Sequence, residues 1–113
     1  MNRIFLDINV ILDIFAQRDP HYAASAEIYS QIEHGELTGL FSVLSLGTTH
    51  YILQGHASPK KALRAIQILR SVVELVDAPT SVANLAIDSG WGDFEDALQY
   101  YSAVHGRAKI GRA

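Results

Sequence analysis

Short, mostly apolar runs alternate with helical patterns along this chain. Three runs predict strands of a parallel sheet, at residues 3–7, 37–42 and 72–76, because strands covered on both faces are apolar and short. The first run ends at Asp7, where a helical pattern begins. Open α/β sheets bind ligands at this end of a strand, but Asp is also a favoured helix N-cap. Asp7 is therefore either a cap or a residue of a functional site.

Helical periodicity fills the stretches between and after these runs. The predicted helices cover about residues 9–17, 19 to the C-cap Gly35, 45–54, 58 to the third strand, 80–88 and 93–105. Asp19-Pro20 and Ser58-Pro59 each predict an N-cap followed by proline at the first helical position, and Gly55 is expected to end the third helix. The residues expected to face inward are Ala23, Ala26, Ile28, Tyr29, Ile32, Leu63, Ile66, Leu69, Val82, Leu85 and Ala86.

This alternation predicts one α/β domain over residues 1–113, with parallel strands, right-handed crossovers and helices on both faces of the sheet. A chain of 113 residues can bury a single core. Three strands are few for this architecture, and residues 107–113 are typical of neither a finished helix nor a buried strand. We therefore expect a chain that stops before its fold is complete.

The amino-acid composition and charge of the chain exclude several classes of function. The net charge is −3 and the sequence pI is about 5.9, so any nucleic-acid binding must use a local patch or a metal ion. The chain has no cysteine, which excludes disulfide scaffolds and thiolate zinc sites. The apolar runs are too short for a signal peptide or a membrane span. A soluble, cytoplasmic protein is expected.

A second acidic cluster lies late in the chain, after a Gly-Trp-Gly loop. Asp93 and Asp96 are three residues apart at a predicted helix start, so their carboxylates can point to the same side. Acids at this position also stabilise a helix through capping and the helix dipole. The pair alone does not distinguish a cap from a ligand set.

Three segments together resemble the PIN-domain ribonucleases, which are the toxin half of many bacterial toxin–antitoxin pairs. The similar segments are residues 5–13 (FLDINVILD), 93–100 (DFEDALQY), and between them 42–46 with 50–53. The resemblance implies a Rossmann-like three-layer α/β/α sandwich with a short parallel sheet, whose activity is metal-dependent cleavage of RNA. By position, Asp7, Asp93 and Asp96 match the family's catalytic metal-binding acids, and Asn9 matches the polar residue that supports the first Asp.

The implied cluster has a physical reason. Two carboxylates about 4 Å apart repel by roughly 4 kcal/mol at an effective dielectric near 20, so an ionised cluster needs a cation or raised pKa values. Mg²⁺ or Mn²⁺ takes such oxygen ligands and keeps some of its waters. On this hypothesis a metal-bound water attacks the phosphodiester.

Two departures from the family pattern matter. Thr48 stands where the family usually has an acid in a middle helix, and it offers only a neutral ligand or a water-binding hydroxyl at the substrate site. The later strand, with its Thr-Arg-Asn-type motif and a further acid, is absent from these 113 residues. Natural shortening, artificial shortening and completion by a second copy of the chain remain alternatives. A homodimer is expected because related proteins commonly pair and because the exposed edge of the first strand invites pairing.

Two hypotheses of different class follow. The first is a ribonuclease toxin masked by a small antitoxin protein, and the second is a degenerate PIN-like module that binds a protein or RNA without cleaving it. A phosphatase or receiver domain that uses Asp7 as phosphoryl acceptor fits less well. Phosphatases of the haloacid-dehalogenase type require an Asp where this chain has Asn9. Receiver domains require a lysine after a late strand, and this sequence does not have one.

Overall fold

A three-stranded parallel sheet with strand order β1-β2-β3 forms the centre of the computed structural model, which describes residues 2–107. The strands are β1 (Asn2–Phe5), β2 (Leu37–Ser42) and β3 (Glu74–Val76). The helices are α1 (Ile8–Phe15), α2 (Tyr22–Glu33), α3 (Leu46–His56), α4 (Pro59–Val72), α5 (Thr80–Asp88) and α6 (Phe94–His105), and a short 3₁₀ turn, Val43–Ser45, joins β2 to α3. Of the C-terminal segment 107–113, residues 108–113 lie outside the described residues.

The sheet has two covered faces, as the sequence predicts. One face packs against α1, α2 and α4 through a core of Leu6, Val10, Ile11, Tyr29, Ile32, Phe41, Leu69 and Val73. The opposite face packs against α6 through Phe5, Leu40, Val76 and Ala103. Because the strand order follows the chain without reversal, the right-handed crossovers leave α1 to α4 on one side. The result is the expected three-layer α/β/α sandwich with a short parallel sheet.

Helix starts follow local chemistry at some positions and tertiary structure at others. The Ser58 hydroxyl accepts a hydrogen bond from the Lys61 amide, which confirms the predicted cap of α4. The predicted cap at Asp19 is wrong, because the chain turns through residues 19–21 between α1 and α2, and α2 begins only at Tyr22. The Asp19–Pro20 peptide bond in this turn is cis.

Helix ends also differ from the prediction at two positions. The third helix does not stop at Gly55 but continues to His56, since a single glycine costs a helix only about 1 kcal/mol and packing against α4 offsets this. The third strand begins at Glu74 rather than at residue 72, because Val72 completes α4 and the Val73 amide still bonds to the Leu69 carbonyl.

The inward faces of the helices were predicted only in part. Tyr29, Ile32, Leu69, Val82 and Ala86 are buried, as expected. Three predicted inward residues are exposed instead: Ala23, Leu63 and Leu85. On α4, the small side chain of Ala62 occupies the buried stripe, so the helix packs closely through an alanine and Leu63 is turned outward. No helix among residues 2–107 has the length and apolarity needed to span a membrane.

Candidate active site

Asp7 occupies the N-cap position of α1, directly after β1 and the buried Leu6. Its backbone is extended, with φ −71° and ψ 149°, as a cap residue requires, but its side chain makes no capping hydrogen bond. The carboxylate, which is half-buried, accepts a hydrogen bond from the Asn9 side-chain amide, at 3.3 Å between Nδ2 and Oδ2. Capping therefore does not account for this acid at the carboxyl end of β1.

The side-chain oxygen of Asn9 also takes part in a hydrogen bond. The Arg18 guanidinium donates to the Asn9 side-chain oxygen and to the Asn9 backbone oxygen, with both distances 3.3 Å. Asn9 thus accepts from Arg18 and donates to Asp7. The supporting contact that the resemblance implies for Asn9 is present, and it extends to a residue that the sequence did not indicate.

Arg18 is anchored to a buried carboxylate. Asp13, on α1, is only 7% exposed, and its Oδ1 lies 3.0 Å from Nη2 and 3.1 Å from Nε of Arg18. The second oxygen of Asp13 accepts from the Ser25 hydroxyl of α2 at 3.2 Å. A buried charge of this kind requires a partner and further hydrogen bonds, and both are supplied here.

The end of α1 places Arg18 above Asp13. The Arg18 amide donates to the Asp13 carbonyl at 3.0 Å, and Gln17 has a left-handed backbone with φ 51°. These features form a Schellman turn, which usually has glycine at the left-handed position. The end of α2 shows that usual form, with Gly35 at φ 78° and the Glu36 amide bonded to the Gln31 carbonyl.

These side chains line a cavity of about 480 Å³ between α1 and the start of α2. Its wall is polar and carries charges of both signs. The residues that line it are Asp7, Asn9, Val10, Asp13, Arg18, Asp19, His21, Ala24 and Ser25. The predicted residues Asp7 and Asn9 thus share one concave surface, whereas Thr48, Asp93 and Asp96 lie outside it.

Asp93 is a helix cap in this structure. Its Oδ1 accepts a hydrogen bond from the Asp96 amide at 3.1 Å, and both residues are exposed at the start of α6. The capping interpretation of Asp93 is therefore observed directly. One carboxylate can cap with one oxygen and bind a ligand with the other, so the cap does not contradict a role at a site.

Two contacts place the start of α6 near the carboxyl end of the sheet. Gln99 donates to the Ser45 hydroxyl, just after β2, at 2.8 Å, and Ala103 packs in the core on Leu40. Asp96, Gln99 and Ala103 are spaced so that they share one face of α6. Asp96 is therefore at the same end of the sheet as Asp7.

The predicted ligands do not form a complete metal site in this arrangement. Among residues 2–107, no group of three or more His, Asp or Glu side chains is placed so that it could hold a metal ion. Thr48 is exposed on α3, while its neighbour Thr49 is fully buried and donates to the Ser45 carbonyl at 2.7 Å. The ligand set Asp7, Asp93 and Asp96 remains a prediction.

The group formed by Asp13, Arg18 and Ser25 was not predicted from the sequence. One signal was available, because Asn9 and Asp13 are four residues apart and therefore lie on one face of α1. The involvement of Arg18 depends on the left-handed backbone of Gln17, which no local pattern predicts.

Comparison with known proteins agrees with this architecture. The sequence pattern of the PIN domain matches residues 3–110. Ribonuclease VapC1 of Aquifex aeolicus is 29% identical over 113 residues, covering 96% of this chain and 78% of that protein.

Two solved structures show the same fold. VapC20 of Mycobacterium tuberculosis, a sarcin-ricin loop cleaving toxin, superposes with a TM-score of 0.73 at 17% identity, over 93% of this chain and 84% of that one. VapBC2 from Rickettsia felis, bound to a DNA fragment from its promoter, superposes with a TM-score of 0.61 at 15% identity. The match covers 96% of this chain and 85% of that one.

Proposed function

Because this chain belongs to the PIN-domain family, we propose that it is a ribonuclease that hydrolyses RNA phosphodiester bonds with a divalent metal ion. The observation that carries the proposal is the position of Asp7 and the hydrogen bonding of its side chain. This acid stands at the carboxyl end of β1, leaves the capping bond unmade and accepts from Asn9 beside a polar cavity. An acid of that kind is better placed for binding than for helix stability.

PIN-domain nucleases of the VapC type generally depend on a divalent metal ion. Asp7 and Asp96 are the proposed ligands at the shared end of the sheet, with Asp93 as the third, and Mg²⁺ or Mn²⁺ suits such oxygen donors. Thr48 is proposed to bind the substrate through its hydroxyl. The described carboxylates do not complete a site, so we assign no catalytic step to the ion.

The proposed biological role is that of a toxin restrained by a small antitoxin. Support comes from the similarity of the chain to VapC1 and VapC20 and from its similarity to the structure of VapBC2. We further propose a homodimer in the cytoplasm. Light scattering on the purified protein tests the dimer, and co-purification with the product of the neighbouring gene tests the antitoxin.

A cleavage assay tests the proposed chemistry. The purified protein is incubated with a labelled hairpin RNA and an unstructured RNA in Mn²⁺, in Mg²⁺ and in EDTA. We expect cleavage that requires the metal ion. Asp7→Asn and Asp96→Asn should each lower the rate by at least about a hundredfold, equivalent to roughly 2.7 kcal/mol of activation free energy.

Glu36→Gln is the matched control, because Glu36 is an exposed acid just before β2, at the opposite end of the sheet. It should cleave RNA at the wild-type rate. Cleavage that survives both Asp substitutions would indicate a contaminating nuclease and would overturn the proposal. Circular dichroism of each variant separates loss of activity from loss of folding.

A second candidate function is a PIN-like module that binds a protein or RNA without cleaving it. It is favoured by the neutral Thr48 and by the lack of a three-ligand group among residues 2–107. This function predicts a folded wild-type protein that is inactive in every metal ion but still captures its partner. Capture should then persist in Asp7→Asn and Asp96→Asn, and its loss would count against this candidate.

A further inference from the structure

We propose that Arg18 is a positioning residue, which fixes the orientation of the Asn9 side-chain amide and, through it, the Asp7 carboxylate. The inference rests on the proposed function for its effect on cleavage. Its structural part, the control of Asn9 by Arg18, can be tested whether or not the protein cleaves RNA.

The hydrogen-bonding capacity of the three groups permits only one orientation of the amide. A guanidinium can only donate, and an ionised carboxylate can only accept. Asn9 lies between them, with its oxygen 3.3 Å from Arg18 and its nitrogen 3.3 Å from Asp7. Rotating the amide by 180° would place NH₂ against the guanidinium and oxygen against the carboxylate, so both contacts would become repulsive.

Arg18 can impose this orientation because it is itself held at three points. Two guanidinium nitrogens contact the buried Asp13 carboxylate, at 3.0 and 3.1 Å. The Asn9 backbone oxygen accepts from the guanidinium, and the Arg18 amide is held by the Schellman turn. Few other rotamers keep all of these contacts, so the position of the side chain is well defined.

Ser25 extends the same chain of contacts to α2. Its hydroxyl donates to the Asp13 oxygen that Arg18 does not use. The orientation of Asp7 therefore depends on side chains from α1, from the turn after it and from α2. Outer residues that orient a ligand in this way typically change activity or metal affinity about 10- to 100-fold when they are replaced.

Side-chain amide NMR of the 12.4 kDa protein tests the structural part. In the wild type, we expect two well-separated Asn9 amide proton signals that exchange slowly with water. In Arg18→Met these signals should move toward the values of a free amide and exchange at least about tenfold faster. Arg18→Lys keeps a charged donor and should restore much of the protection.

Replacing Arg18 also leaves Asp13 without its ion-pair partner, which could destabilise the whole protein. The double variant Asp13→Asn/Arg18→Met removes that buried charge and keeps the test valid if Arg18→Met fails to fold. Arg3→Met is the matched control, since Arg3 lies on β1 and forms an exposed ion pair of similar length, 3.1 Å to Glu74. It should leave the Asn9 signals and cleavage unchanged.

Cleavage kinetics test the functional part. Arg18→Met and the double variant should lower kcat by about tenfold or more with little change in KM, and Arg18→Lys should recover part of the loss. Unchanged Asn9 signals in both Arg18→Met variants would overturn the positioning role, whatever the activity. If the wild type is inactive but the Asn9 signals respond to Arg18, the proposed nuclease fails and the positioning role stands.

Discussion

Gln99 donates a hydrogen bond to the Ser45 hydroxyl across 54 positions of sequence, with 2.8 Å between the two atoms. Ser45 ends the turn after β2, and Gln99 lies one helical turn after Asp96. This bond therefore ties the late acidic helix to the end of the sheet at which Asp7 lies. Together with the packing of Ala103 on Leu40, this bond brings the two acidic segments of the sequence to one side of the molecule.

The two roles considered for Asp93 predict different mutational results. Asp93→Ala should destabilise the protein by about 1 kcal/mol, because the Asp96 amide loses its cap. Asp93→Ser should keep most of that stability, since serine also caps well. Urea denaturation measures the stability, and RNA cleavage by Asp93→Ser reports on the carboxylate alone.

If Asp93 is a ligand, Asp93→Ser will be stable but at least about tenfold slower in cleavage. Full activity of the serine variant would show that capping is the whole role of Asp93, and the ligand set would lose this member. Thr80→Ala, at the start of the neighbouring α5, is a suitable control because no capping bond from a side chain is present there.

Burial raises the pKa of Tyr29 to about 12, with Glu33 adding a smaller effect. The folded pKa is above the unfolded value of 10, so the unfolded chain releases this proton first. Ionisation of Tyr29 therefore leaves the stability of the fold unchanged below pH 10 and lowers it as the pH rises to 12. Relative to Tyr29→Phe, the wild type should lose on the order of 2 kcal/mol over that range.

At neutral pH, Tyr29→Phe should be neutral or stabilising, because the buried hydroxyl has no hydrogen-bond partner within residues 2–107. The edge-to-face contact with Phe15, at 6.0 Å between ring centroids, is kept. Urea unfolding at pH 8 and pH 11.5 measures both effects. Tyr51→Phe is the control, since Tyr51 is 72% exposed. A loss of more than about 1 kcal/mol at pH 8 would contradict the prediction by revealing a partner for the hydroxyl.

Gly39 allows α2 to pack closely on the centre of the sheet. A Cβ at this position would lie 2.5 Å from Cδ1 of Ile32, so Gly39→Ala should cost about 1–3 kcal/mol. Ile32→Val removes that carbon, and the remaining Ile32 contacts of 3.3 and 3.4 Å can relax. The double variant should therefore be more stable than the sum of the two single effects predicts.

Denaturant unfolding of the four proteins in this cycle gives the coupling free energy. Gly47→Ala is the control, because an added Cβ on α3 meets no atom within 4 Å and alanine favours a helix. Additive single effects would show that the clash is relieved by movement of the backbone rather than at Ile32.

Gln17 holds a left-handed backbone that glycine adopts without strain. Gln17→Gly should therefore stabilise the protein by about 0.5–1 kcal/mol, while Gly35→Ala at the equivalent position after α2 should destabilise it by a similar amount. Thermal unfolding followed by circular dichroism measures both. A less stable Gln17→Gly variant would show that the Gln17 side chain makes a contribution larger than the strain.

Much of the fold follows from local sequence, and the site follows only in part. The bounds of β2 and α5 and the cap of α4 were predicted correctly, because apolar runs and a Ser-Pro pair determine them locally. The exposed Leu63 shows the limit of periodicity, since which stripe of a helix is buried depends on what packs against it. The contacts of Arg18 could not be predicted from the sequence for a similar reason, because they require a left-handed backbone at Gln17 that is unusual for glutamine.

The residue at position 7 also affects the stability of the fold. The hydroxyl oxygen of a serine in its place could accept a hydrogen bond from a backbone amide in the first turn of α1, which the aspartate side chain does not do in this structure. A search for heat-resistant variants would thus tend to select substitutions at this position and would discard the acid on which the proposed chemistry depends. Thermal tolerance and activity are expected to compete at residue 7.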